Sequence, residues 1–219
     1  MASLFHNTRG KKMNIARFFV VAGVAVVLGG CAFGRTYSYG DASLNLPVAS
    51  SSTIAVAVQD LRPYVVSGNK PERFVGLMRG GFGNPFDVNT QSGTALSIEM
   101  RDAVVKALKS KGINATAVTV APSDPQSRVR RVLADAKPGR GILVTLREWK
   151  SDTMMATSLY YDVSLAVLDA AGNVVAENAI KGSDNLGSLG LSPNAGISAT
   201  FVKKFEVLFD DPRIIAALK

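Results

Sequence analysis

Residues 159–181 read LYYDVSLAVLDAAGNVVAENAIK. Leu159, Tyr161, Val163, Leu165 and Val167 recur at every second position, and Tyr160, Asp162, Ser164, Ala166 and Leu168 fill the places between. A period of two is the pleat of a β-strand, and one mainly apolar row predicts a strand with one face on a core. Asp169-Ala170-Ala171-Gly172-Asn173 has the length and chemistry of a hairpin turn, and Val174–Lys181 is its return strand.

Upstream of this hairpin, strands alternate with helices. Thr53–Gln59 (TIAVAVQ) is apolar on both rows, which suits a strand covered on both sides, and Asp60-Leu61-Arg62-Pro63 ends it. Phe74–Arg79 is a short strand running into the turn-rich Gly80-Gly81-Phe82-Gly83-Asn84-Pro85. Ser92 is a candidate N-cap for a helix over 93–111, with Leu96, Met100, Ala103, Val104, Ala107 and Leu108 in one stripe. Lys109 and Lys111 suit its C-terminal turn, and Gly112 its C′ position. Ile113–Val120 reads as a strand, and Ser123-Asp124-Pro125-Gln126 as a capping box. The helix it opens carries Val129, Val132, Leu133 and Ala136, and Ile142–Arg147 is the next strand. Beyond the hairpin and a glycine-rich loop over 182–191, Ser192-Pro193 opens a third helix with Ile197, Phe201, Phe205 and Leu208 inward. Asp211-Pro212 caps a short last one. The fold class expected is α/β (α+β): a single compact domain, a mixed sheet with helices packed on at least one face. Strand order stays open.

The N-terminus is targeting sequence. Arg9, Lys11, Lys12 and Arg17 precede the apolar run FFVVAGVAVVL at 18–28, with no acidic residue before it. Eleven apolar residues fall short of the ~20 that span a bilayer, and a basic flank before a short apolar run describes a secretory signal. Residues 32–52 are rich in Ser, Gly, Ala and Asn and read as a flexible tether, with an r.m.s. span of ~25 Å. The expected domains are a signal over 1–30, a modified Cys31 and tether over 31–52, and a folded body over 53–219. Met13 is an equally serviceable start, because the nineteen residues from there already form a complete signal.

Leu28-Gly29-Gly30-Cys31 resembles the lipobox of bacterial lipoproteins. The resemblance implies a diacylglycerol on the Cys31 thiol, cleavage before it and acylation of the new amine. Two or more acyl chains anchor a protein stably where one does not. Ala32 rather than Asp after the cysteine implies sorting, in enteric-type bacteria, to the periplasmic face of the outer membrane. Removing the four basic signal residues from 25 leaves 21 against 17 acidic ones, so the net charge falls from +8 to +4. A nucleic-acid partner loses its main argument.

Cys31 and His6 are the only Cys and His, and both precede the body. Disulfide frameworks, Cys/His zinc sites and Ser-His-Asp or Cys-His catalysis are therefore excluded from it. No metal and no cofactor is expected. The segment 76–84 lacks the Walker Lys-Ser/Thr, and Phe86 stands where a third glycine of G-x-G-x-x-G belongs. It reads either as a tight hairpin or as a contact loop presenting Arg73, Arg79, Phe82, Asn84 and Phe86 to a partner. Arg128, Arg130 and Arg131, with Lys137 and Arg140, form a basic cluster: a solvated helix face, or a contact for anionic headgroups and glycan-linked carboxylates. Trp149, the only Trp, is a strand-end aromatic.

The lipobox, Asp60-x-Arg62-Pro63 after the first strand, Arg79-Gly80-Gly81-Phe82-Gly83-Asn84 and the chain end Asp211-Pro212-Arg213-Ile214-Ile215-Ala216-Ala217-Leu218 are similar to YajG-type uncharacterised lipoproteins. That resemblance implies an envelope lipoprotein with an α/β domain and brings no catalytic residues. The leading expectation is a non-enzymatic outer-membrane lipoprotein, a binding or scaffold module with a protein, lipid or peptidoglycan partner. Alternatives are an auxiliary lipoprotein of an envelope lipid or ABC-type transport system and a carboxylate-dependent cell-wall hydrolase.

Overall fold

The central strand is β2 (Ile54–Asp60), buried at all seven positions. Its two rows differ in size, and that difference sorts the layers. Ile54, Val56 and Val58 face the large core, while Ala55 and Ala57 leave room on the other side for a helix. In the computed structural model, which describes residues 35–188 and 193–219, β2 pairs in parallel with β5 (Ala115–Ala117) and with β6 (Arg140–Thr153).

The 14-residue β6 organises the sheet. One of its edges takes β2 along 140–146 and then β3 (Phe74–Arg79) along 151–153, both parallel. Its other edge pairs antiparallel with β7 (Thr157–Leu168), which pairs with β8 (Val174–Asn185). β3 turns back into β4 (Pro85–Thr90), and β4 takes the two-residue β1 (Thr36–Tyr37) in parallel. The eight strands form one mixed sheet. β3 meets β6 at Gly76, where a Cβ would lie 1.9 Å from the Ser151 hydroxyl and 2.7 Å from its carbonyl oxygen. Only glycine allows the two backbones to approach this closely.

α2 (Leu96–Ser110), α4 (Pro193–Phe209) and α5 (Pro212–Ala217) cover the large face, and α3 (Gln126–Asp135) covers the alanine face through Val129 and Leu133. The short α1 (Pro63–Val66) follows β2. Helices thus lie on both faces. Trp149 is a mid-strand core residue, not a strand-end one: it is fully buried, with Tyr39, Phe201 and Phe205 edge-on at centroid distances of 6.1–6.4 Å. Such pairs add about 0.5–1.5 kcal/mol each beyond the area they bury.

The largest departure from the sequence reading is at the start of the body. Residues 35–52 belong to it and are no tether. Tyr37, Tyr39, Ala42, Leu44, Leu46 and Val48 are all buried in the large core. Little of this segment is strand, so its backbone donors find side chains instead: Ser38 N–H donates to Asn194 Oδ1 (2.9 Å), Tyr39 N–H to Glu99 Oε2 (2.8 Å) and Asn45 N–H to Glu206 Oε1 (2.9 Å). The domain boundary therefore lies no later than Arg35 rather than at Thr53. The signal, Cys31 and the remaining tether residues 31–34 lie outside the described residues.

Smaller corrections concern caps. α2 begins at Leu96, and Ser92 hydrogen-bonds to Glu99 and Thr94 instead of capping it. Glu99 sits in the first turn, where the dipole favours an anion. No capping box opens α3: Asp124 accepts from Ala121 N–H and pairs with Arg128. Asp211 does cap α5, accepting from Arg213 N–H. The strand expected over 113–120 is only the three residues of β5, which pair with Ile54, Ala55 and Val56 of β2.

Candidate functional site

A bulge in β6 at Arg147 creates the site. The register with β7 shifts between Leu146 and Glu148. Before it, Ile142, Val144 and Leu146 face the large core; after it, Trp149, Ser151 and Thr153 are the buried set. A single inserted residue re-aims every side chain that follows. Glu148, Lys150 and Asp152 consequently point out on the far side of the sheet, level with Asp162, Tyr160 and Ser158 of β7, and Lys181 and Ser183 of β8 complete the row.

α3 covers only the first half of this outer face. Past the bulge the sheet is open, and Pro63 and Tyr64 of α1 stand along its margin. The result is a trough of about 720 Å³ floored by ionic and aromatic side chains. Arg79, from the end of β3, forks onto Asp152 with Nε–Oδ1 2.8 Å and Nη2–Oδ2 2.6 Å. Lys181 pairs with Asp162 at 2.8 Å, and Arg147 donates to Ser164 Oγ at 2.9 Å. The Tyr64 hydroxyl donates to Glu148 Oε1 at 2.6 Å. Lys150 has no carboxylate partner among the described residues; its Nζ lies 6.0 Å from the Tyr64 ring centre and 5.7 Å from that of Tyr160. Two ring faces attract an ammonium that otherwise faces water.

The electrostatics favour holding over proton transfer. The Arg79 hydrogen bond keeps the Asp152 carboxyl below the usual carboxylate range, so it is an anion at neutral pH. Burial, reinforced by the Glu148 carboxylate, pushes the Tyr64 hydroxyl up, so it stays a neutral donor. Ammonium, guanidinium, hydroxyl and ring faces on a rigid sheet can recognise an anionic or polyhydroxyl group. Among the described residues no group of three or more His, Cys, Asp or Glu gathers as a metal site.

The structure divides the residues singled out from sequence. Arg79, Phe82, Asn84 and Phe86 lie together on the β3–β4 hairpin, whose turn is closed by Gly80 N–H donating to Asn84 O at 2.9 Å, with Gly83 at φ 82°. Phe82 at its tip is fully exposed, and Phe86 packs over Gly80. Arg79 is committed to Asp152. Arg73 precedes the other end of β3, about 20 Å away at the rise of a strand, and does not join them. Arg128, Arg130 and Arg131 are exposed on α3 over the covered half, with Arg128 paired to Asp124 at 3.0 Å. Cys31 is outside the described residues. Lys150, Tyr160, Tyr64 and Asp162 are site residues that the sequence reading passed over. A large aromatic on the polar row of 159–168 was their one available signal.

No family model matches the chain, and no curated protein matches it in sequence. Among solved structures it is similar to the protein XCC0632 from Xanthomonas campestris, of the family DUF330, at 13% identity and TM-score 0.46, covering 80% of this chain and 91% of that one. It is similar to the PelC dodecamer from Paraburkholderia phytofirmans at 11% identity and TM-score 0.42, covering 77% and 94%. It is also similar to lipoprotein GNA1162 from Neisseria meningitidis at 9% identity and TM-score 0.29, covering 70% and 97%. At these scores no function is carried over from them, and the likeness to YajG-type lipoproteins remains one of short motifs.

Proposed function

We propose that the chain is a lipoprotein acylated at Cys31, held on the periplasmic face of a bacterial outer membrane, whose body is a non-enzymatic binding module of the envelope. The trough on β6–β8 is its contact surface for a protein or glycan partner. The observation that carries this is Lys150, a cation free of any carboxylate among the described residues and set between Tyr64 and Tyr160 on an open sheet face. Arg79 forms one margin of the surface, and Arg128, Arg130 and Arg131 supply a second, basic face for anionic groups of the same envelope.

Of the alternatives, lipid carriage needs a dry apolar bed, and ionic side chains floor the trough. Hydrolysis needs a carboxyl that can hold a proton beside a free carboxylate. In the trough Asp152 is paired with Arg79 and Asp162 with Lys181, and Glu148 accepts from the Tyr64 hydroxyl.

The test is in-cell photo-crosslinking from position 160, followed by mass spectrometry of the adducts. A discrete protein or glycan adduct, reduced by Lys150→Ala, is expected. Adducts from exposed control positions on α3 but none from 160 would reject the trough. The intact mass of the membrane-extracted protein should show a chain beginning at an acylated Cys31; turnover of intact sacculi by the purified protein would reject the binding reading.

A further inference from the structure

Three uncharged turns lie at one end of the sheet. β3 and β6 run parallel with Met78 opposite Thr153, so both strands run out together. The turn after β3 is Gly80–Asn84, and the turn after β6 is Met154–Ala156, closed by Met154 N–H donating to Ala156 O. Leu186 and Gly187 join them, because Leu186 N–H donates to Thr157 O and Thr157 N–H to Gly187 O, both at 2.8 Å. None of residues 80–84, 154–156 and 186–188 is charged. The charges flanking the turns are paired, Arg79 with Asp152 and Asp184 with Lys204.

This end exposes large apolar side chains. Phe82 is fully exposed, Met155 is 87% exposed and Met154 58%. An exposed apolar residue standing alone needs no account, but three on neighbouring uncharged tips form a patch that means contact.

The direction of β1 says with what. β4 runs away from its turn, from Pro85 to Thr90, and β1 runs parallel to it with Thr36 opposite Asn89. The chain therefore comes into the sheet from the side of the turns. Cys31 is five residues before Thr36, a reach of at most about 18 Å, and Pro85 is four residues along β4 from Thr36's partner. That reach is enough for an anchor on Cys31 to lie at the end that carries the apolar tips.

We infer that this end is a membrane-contact surface: Phe82, Met154 and Met155 enter the headgroup region of the bilayer that holds the acylated Cys31, which stands the sheet end-on and leaves the trough facing sideways, open to the periplasm. The inference rests on the acylated-lipoprotein reading above. Aromatic and thioether side chains on uncharged turns suit that interface, where ring and sulfur leave water without stranding a charge.

The test uses the full acylated protein in phosphatidylethanolamine/phosphatidylglycerol vesicles. Cys31 is the only cysteine and its thiol is blocked by acylation, so Phe82→Cys, Met155→Cys and Val175→Cys each give a single site for an environment-sensitive fluorophore. Val175 is the control: it is 50% exposed and lies near the β7–β8 turn at the opposite end of the sheet. Labels at 82 and 155 are expected to shift to the blue and to lose most of their emission to nitroxide-bearing lipids, while the label at 175 does neither. Equal behaviour at all three sites overturns the inference. So does photo-crosslinking from position 82 to a protein rather than to lipid. Intact mass separates the two readings. An unacylated protein whose labels at 82 and 155 are still quenched keeps the membrane surface and rejects the anchor; an unacylated protein that ignores the vesicles rejects both. Unfolding midpoints equal to that of the parent show that the labelled variants are folded.

Discussion

Two guanidinium–carboxylate forks in this molecule have the same geometry. Arg62 grips Asp60 at 2.8 and 2.6 Å, and Arg79 grips Asp152 at 2.8 and 2.6 Å. The first pair is fully buried; the side chains of the second are 37% and 22% exposed. Arg62 spends its remaining donors on the carbonyl oxygens of Phe74 (2.6 Å), Glu72 (3.1 Å) and Trp149 (3.2 Å), and so ties the end of β2 to the start of β3 and the middle of β6. Arg79 ties the far end of β3 to β6, with water beside it. Identical distances therefore describe a structural clamp and a surface contact, and the surrounding dielectric decides which is which.

Breaking the clamp has the largest effect. Arg62→Met leaves the Asp60 carboxylate buried and alone, and should cost about 3–5 kcal/mol in urea unfolding. Replacing both partners, Asp60→Leu with Arg62→Met, should recover part of that loss, since no charge is then stranded. Gly76→Ala comes next, at about 1–3 kcal/mol, because its Cβ forces β3 away from Ser151. Hydrogen exchange should then quicken along 76–79 while the amides around Arg62 stay protected. Arg79→Met should move the thermal midpoint by no more than about 2 °C, and 1 M salt should erase even that.

Acid gives the smallest and most specific reading. Asp152 titrates below the ordinary carboxylate range because Arg79 holds its anion. A depressed folded value means that the stabilisation is complete above the unfolded carboxylate value of about 4 and is lost as pH falls through the lower folded one. The midpoint difference between the parent and Arg79→Met should be constant from pH 7 to 5 and vanish on further acidification.

The same contrast explains what was legible in the sequence. The rows of 159–168 and 53–59, and the stripe Ile197, Phe201, Phe205, Leu208, are patterns of many residues, and each lies where its period places it. The segment 35–48 carries a period of two only in two short runs, Tyr37–Tyr39 and then Ala42, Leu44, Leu46 and Val48, with the phase switched between them, and serine, glycine and asparagine in the gaps make it read as linker. Asp60 and Arg62 read as a strand end, because sequence shows a charge and not the three carbonyls awaiting it. The bulge at Arg147 breaks the alternation, so the strand legible in the sequence ends there while β6 runs on to Thr153, and the floor of the trough lies in the remainder. Glu148, Lys150 and Tyr160 are ordinary residues singly; only the shifted register puts them side by side.

The core is closed by the two ends of the chain. Ser38 bonds Asn194 across 156 residues, Asn45 bonds Glu206 across 161, and Tyr39 meets Phe201 edge-on at 5.5 Å. The first residues of the body to leave the ribosome thus wait for nearly the last. Until residues 193–218 have emerged, Tyr37, Tyr39 and Leu46 have no α4 or α5 to pack on, and the sheet has only α2 over its large face. Contacts of such long sequence separation fold slowly. A chain stopped before residue 193 therefore carries a sheet whose N-terminal flank has no partner to close on.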